Sequence, residues 1–372
     1  MKFRKESLLK ILLVFILAGN QLLSAQLLKD PITYEKIKAG VDEIYNCEFD
    51  KAETIYNYIN TKYPNNTIPH LYMGLMLYWK YFPIIPESPV SKTFISYLEK
   101  SVELAEKRFK EDPNDAENLL SGMGALGLML LYYADNGMIR NVLSLAPETY
   151  KFVMRSFEFT NTYYDFYFIT GLYNYYREAY PEAHPIYRPV VVFFPHGNKK
   201  LGLKQLQLAS DSAIFLKAEA NSFLSGIYLT FELNPAKACI YSRKLADSYP
   251  RNNEFKTDLI KDLLLMKKYD EAEKLLDCLP YNIDNQYLQA QIDILRAIFV
   301  EKQYKNDNRA EKLYWSGIKK MDAYKDFGNE YKSYAYFGLS RICKRANEMK
   351  RMKKYRKMAD DLAYYEGINF DN

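Results

Sequence analysis

The chain has 372 residues, 48% of them hydrophobic, and its 35 tyrosines and 21 phenylalanines contrast with 15 glycines and 15 prolines. Average usage would give about 26 glycines at this length, and so few turn residues argue against a β-sandwich or barrel. A mean hydropathy of −0.35 with that apolar content excludes both a polytopic membrane protein and a disordered chain. The formal charge of +5 is unevenly placed: Lys2, Arg4, Lys5 and Lys10 against Glu6 fall in the first 25 residues, leaving 47 basic and 45 acidic side chains. A balance that close offers no electrostatic footprint for nucleic acid, so none is expected as a partner.

Residues 1–25 predict a secretion signal. A basic start precedes the apolar run Ile11–Ala18, and Leu23-Ser24-Ala25 supplies a small-residue cleavage site after Ala25. Lys10 and Asn20-Gln21 clip the run well short of the ~20 residues of a membrane span, so no stable span is expected after cleavage. A periplasmic or secreted bacterial protein is the implied destination. Export permits disulfides, but Cys47, Cys239, Cys278 and Cys343 are far apart and form no CxxC pair. Buried free thiols are expected, with no disulfide framework and no zinc site.

Residues 26–372 predict a single all-α unit. In 33–66, Gly40, Ala52 and Pro64 stand twelve residues apart. The spacing suits two packed helices, with small residues where their axes approach and Pro closing the second. Proline punctuation then predicts an inserted loop at about 81–93, and helices are expected over about 92–110, 116–134, 147–160 and 162–180. The last carries a Tyr/Phe stripe at 164, 167, 168, 172, 175 and 176 that reads as core-facing, with Tyr163, Tyr173 and Tyr180 on other faces. A second inserted loop, about 181–197, holds Pro181, Pro185, Pro189 and Pro195, and Val190–Phe194 inside it reads as a short buried helix. A helix capped by Asn198 or Gly197 follows. Gly226, Ala238 and Pro250 in 219–252 repeat the twelve-and-twelve spacing, and 253–286 supplies a further copy around Ala272. The eight Lys and Arg residues between Lys344 and Lys357 read as the solvated face of a terminal capping helix.

A unit of about 34 residues with these small-residue positions resembles the tetratricopeptide repeat (TPR) family, although the Trp at the first signature position is missing here. The block from Phe193 to Leu229 is similar to a group of exported bacterial TPR proteins and, distantly, to the eukaryotic inclusion-body-clearance TPR proteins. That likeness rests on His196-Gly197, Gly202-Leu203, Leu206, Glu219-Ala220 and Phe223-Leu224. It implies an α-solenoid of antiparallel helical hairpins with an irregular middle section. The first helix of each hairpin would line a concave surface, with Tyr34, Ile37, Val41, Phe223, Ile227 and Phe231 facing it. Tyr173, in the Tyr-rich middle, is a further candidate for that partner-binding groove.

Chemistry is sparsely signalled. The three histidines, His70, His184 and His196, form no HExxH, and no GxSxG elbow, Walker A loop or GxGxxG turn is expected. Neither catalytic residue, cofactor nor metal is assigned. The sequence therefore predicts an exported, non-enzymatic scaffold for protein–protein interaction in the bacterial envelope, its partners being envelope proteins or peptides. A glycan- or small-ligand-binding protein built on the Tyr-rich section is the alternative.

Overall fold

A computed structural model describes residues 27–280, 284–364 and 367–371; the expected signal at 1–25 lies outside them. Among the described residues there is no strand, and the main helices pair in sequence as eight hairpins. These are α1 (Pro31–Tyr45) with α2 (Phe49–Lys62), α3 (Thr67–Lys80) with α4 (Ser91–Glu111), and α5 (Ala116–Asp135) with α6 (Ile139–Ser156). Next come α7 (Asp165–Ala183) with α8 (Lys199–Ser212), α9 (Lys217–Thr230) with α10 (Pro235–Ser248), and α11 (Asn253–Leu265) with α12 (Tyr269–Cys278). The last two are α13 (Gln286–Lys302) with α14 (Asp307–Met321), and α15 (Asn329–Arg345) with α16 (Met349–Leu362). First helices of successive hairpins also stack directly, as α1 on α3, α3 on α5 and α13 on α15, so the first helices form the inner layer of an all-α solenoid.

Local chemistry explains the punctuation. Inner helices α1, α3, α5, α11 and α13 are N-capped by Asp30, Asn66, Asp115, Asn252 and Asn285, whose side chains accept backbone N–H bonds two or three residues on. Six hairpins turn through one left-handed residue, and four of these, Cys47, Gly137, Lys267 and Asn347, with φ of 60°, 67°, 57° and 61°, share one geometry. At each, the next amide donates to a carbonyl five residues back (Glu48 to Glu43, Met138 to Tyr133, Lys268 to Leu263, Glu348 to Cys343) at 2.8–2.9 Å. This is the helix-ending geometry in which the left-handed residue lets orphan carbonyls be satisfied. The second and fourth hairpins instead carry long connections, Tyr81–Val90 and His184–Asn198, the latter including one helical turn at Arg188–Val191.

Several expectations change. Ala52 and Ala238 are fully buried, as the hairpin crossing requires, whereas a Cβ on Gly40 would run first into Tyr72 of α3, the next inner helix. Gly226 faces open space, because α9 packs through Ala220, Leu224 and Ile227 instead. Helix α6 begins at Ile139, eight residues before the expected start, with Pro147 inside it. On α7 the buried set runs through Phe166, Phe168, Ile169 and Tyr175, whereas Tyr164 is exposed at the helix start. Val192 and Phe193 are 75% and 86% exposed, so the 190–194 run is not a buried helix. All four cysteines are free, but Cys278 is exposed and Cys47 only half-buried.

The solenoid closes on itself. The α1–α2 turn meets the α10–α11 turn some 200 residues later. Asn252 Nδ2 donates to Tyr45 O at 2.9 Å, the Arg251 amide to Asn46 Oδ1 at 3.0 Å, and Tyr249 Oη to Asp42 at 3.2 Å. Arg251 also pairs with Glu48. The Tyr81–Val90 connection reaches the C-terminal half, where Asn285 Nδ2 donates to Phe82 O at 2.6 Å and Phe82 packs edge-on against Tyr287 and Phe327.

Candidate functional site

The concave face of the first five hairpins holds a deep, partly open cavity of about 510 Å³. Helix α5 forms one wall along nearly its whole length: Glu117, Leu120, Gly124, Gly127, Leu131 and Ala134 recur at helical spacing on the cavity side. From Glu117 to Ala134 that wall runs about 26 Å at 1.5 Å per residue. The rest of the lining includes Ile37 and Val41 of α1, Leu71 and Leu75 of α3, and Phe168 and Leu172 of α7. Helix α6 turns Val142, Thr149 and Val153 inward, which explains why a strongly amphipathic helix buries so little against its neighbours.

Gly127 keeps this wall flat. A Cβ built there meets nothing within 4 Å, while one on Gly124 would touch the Leu71 side chain. Gly122, Gly124 and Gly127 do have GxGxxG spacing, which the sequence reading missed. They sit in mid-helix with no strand before them, so they shape a wall and do not cradle a phosphate.

The polar lining is nearly all tied off by the protein. Glu117 accepts from the Leu28 amide at 2.8 Å and from Asn66 Nδ2 at 2.9 Å. Ser121 is bonded to Thr67 at 2.6 Å, Tyr72 Oη donates to Ala52 O at 3.0 Å, and Thr149 to Leu145 O at 2.9 Å. Tyr173 Oη donates to Pro195 O at 2.7 Å, anchoring the long α7–α8 connection. Glu219 is different: Oε1 accepts from Tyr45 Oη, but buried Oε2 has no partner. Burial pushes the Glu219 carboxyl up to about 8 and raises that of Glu117 as well, the latter opposed by its amide donors. The lining contains no Lys, Arg or His.

Of the groove residues expected from sequence, the structure brings Ile37, Val41, Tyr173 and Phe223 together on the cavity wall. Tyr34 lies against the edge of Phe215, itself a lining residue, with ring centroids 5.9 Å apart. Ile227 is fully buried in the core, and Phe231 packs on Tyr175 and Tyr176. The α5 wall and Glu219 were missed as site residues. Their signal was present: α5 is apolar on every face and studded with small residues, the pattern of a helix enclosed on all sides. His196 is exposed beside Glu178 at 3.6 Å, and the His184 and His70 rings lie tilted against those of Tyr180 and Tyr97. Among the described residues no cluster of His, Cys, Asp or Glu could hold a metal, and no helix is long and apolar enough to cross a membrane.

No protein-family model matches the chain, and no curated protein matches it significantly.

Proposed function

We propose that this chain is an exported, non-enzymatic, TPR-like solenoid that binds a small apolar ligand inside its superhelix. The observation that carries this reading is the 510 Å³ cavity, lined almost wholly by aliphatic and aromatic side chains. Its size lies within the usual range for small-molecule sites, and apolar walls with few convergent polar groups are what such sites have. Tyr173 and the neighbouring Phe168 and Leu172 give the Tyr-rich section a share in the wall. The role in export rests on the N-terminal sequence pattern alone.

The envelope-scaffold reading needs a concave groove wide enough for a protein segment, and the contact of the first hairpin with the α10–α11 turn, through Asn252 and Tyr45, narrows it. One observation still favours a protein partner: Ile186, Val192 and Phe193 are exposed together on the α7–α8 connection. A titration with the uncharged, polarity-sensitive dye N-phenyl-1-naphthylamine separates the two. Cavity binding predicts one saturable site in the wild type that is lost in Gly127→Leu, whose side chain enters open space. If Gly127→Leu binds the dye unchanged while Val192→Ser/Phe193→Ser does not, the cavity reading fails and the surface reading takes its place.

A further inference from the structure

The cavity has an electrostatic character that goes beyond its being apolar. Two carboxyl groups line it, Glu117 and Glu219, and no basic side chain does. Glu117 is already satisfied by two donors. On Glu219, Tyr45 occupies one oxygen, and the other is buried without a partner. An unpartnered buried carboxyl oxygen costs free energy unless something supplies a hydrogen bond. Among the polar side chains lining the cavity, the remainder have their hydrogen bonds within the protein.

We infer that the cavity selects a single-chain amphiphile whose head donates hydrogen bonds and bears no negative charge, a long-chain amine or alcohol, with the head at Glu219 and the chain along α5. This rests on the cavity reading above and adds the class of ligand. Burial keeps Glu219 mostly protonated in the empty cavity; an ammonium arriving beside it favours the ionised form, the proton leaves to solvent, and a charge-assisted bond forms in a low-dielectric site, where such bonds are strongest. A fatty carboxylate would meet no cation in the lining; one O–H from a protonated Glu219 leaves the desolvated charge without a counter-charge, which is costly. The elongated wall, flat at Gly127, suits a linear chain better than a fused-ring body.

The test is displacement of the bound dye at neutral pH by dodecylamine, dodecanol and dodecanoate, each below its micelle concentration. The inference expects the amine and the alcohol to displace at least about tenfold more effectively than the carboxylate, the size of one charge-assisted hydrogen bond. Glu219→Gln, which keeps the shape, should weaken the amine about tenfold and leave the alcohol little changed. Tyr45→Phe, which leaves the carboxyl in place, should keep the preference for amine over carboxylate. Equal or better displacement by dodecanoate would overturn the inference, as would an amine indifferent to Glu219→Gln or a preference abolished by Tyr45→Phe. Failure of all three chains to displace a dye that Gly127→Leu excludes would overturn the linear-chain ligand while leaving the cavity reading intact. Failure of the dye itself to sense Gly127→Leu would remove that reading too.

Discussion

At the scale of single residues, the turns and buried charges make the sharpest demands. Lys267 is exposed and holds φ of 57°, a conformation that costs an L-residue about 1 kcal/mol and glycine nothing. Lys267→Gly is therefore expected to raise the unfolding free energy by about 1 kcal/mol, read by chemical denaturation. Glycine occupies the matching position only at Gly137, and the sequence reading found the hairpins through Gly/Ala/Pro spacing because three of these four turns carry no glycine to mark them. Near the C-terminus, fully buried Glu301 accepts from Arg341 at 2.9 and 2.8 Å and from Tyr314 at 2.7 Å. Arg341 holds the Glu301 carboxyl below its ordinary range despite burial. Arg341→Met would leave that charge with only the half-exposed Arg345, and a loss of about 3 kcal/mol in stability is expected.

At the scale of elements, hairpin existence was legible and hairpin partnership was not. The first and fifth hairpins could be read from the spacing of small residues and prolines, in which fully buried Ala52 and Ala238 carry the packing, while Gly226 has no neighbour to approach. The start of α6 was misplaced: the helix expected from about 147 starts at Ile139, and Pro147 lies inside it. The Val190–Phe194 run misled in a different way: apolar composition suggested burial, but no helix covers Val192 or Phe193. Two elements yield tests. Asn252 both caps α11 and bonds to Tyr45 O across the closure. Asn252→Ala should cost about 2 kcal/mol, a cap plus a buried carbonyl left unpaired, and should speed amide exchange in α1 as well as α11. On α5, Gly127→Ala should stabilise by roughly 0.5–1 kcal/mol, since the added methyl meets no atom and helix propensity improves.

At the scale of the whole molecule, closure of the superhelix was not readable from the chain. It sums small rotations over many hairpins, and its contacts join residues some 200 positions apart, such as Tyr45 with Asn252 and Phe82 with Asn285. The candidate site was half legible for the same reason: first-helix positions named Ile37, Val41 and Phe223, but nothing local shows that α5 and Glu219 face them across a cavity. The closed form also buries acid. Desolvation lifts Asp135, Glu148 and Asp262 to about 7 and Glu219 and Glu254 to about 8. The folded chain thus holds protons that the unfolded chain releases near pH 4, so their stabilisation is complete below that and is lost as pH rises through 7–8. The melting temperature should fall between pH 5.5 and 8.5, and by less in Glu219→Gln; a flat or rising profile would contradict the burial of these carboxyls.

The interior ligand site is the central claim, and native mass spectrometry of the purified chain with dodecylamine tests it most directly. A one-to-one complex with the wild type that disappears in a fully folded Gly127→Leu chain is the predicted result; equal complex formation by both chains would contradict it.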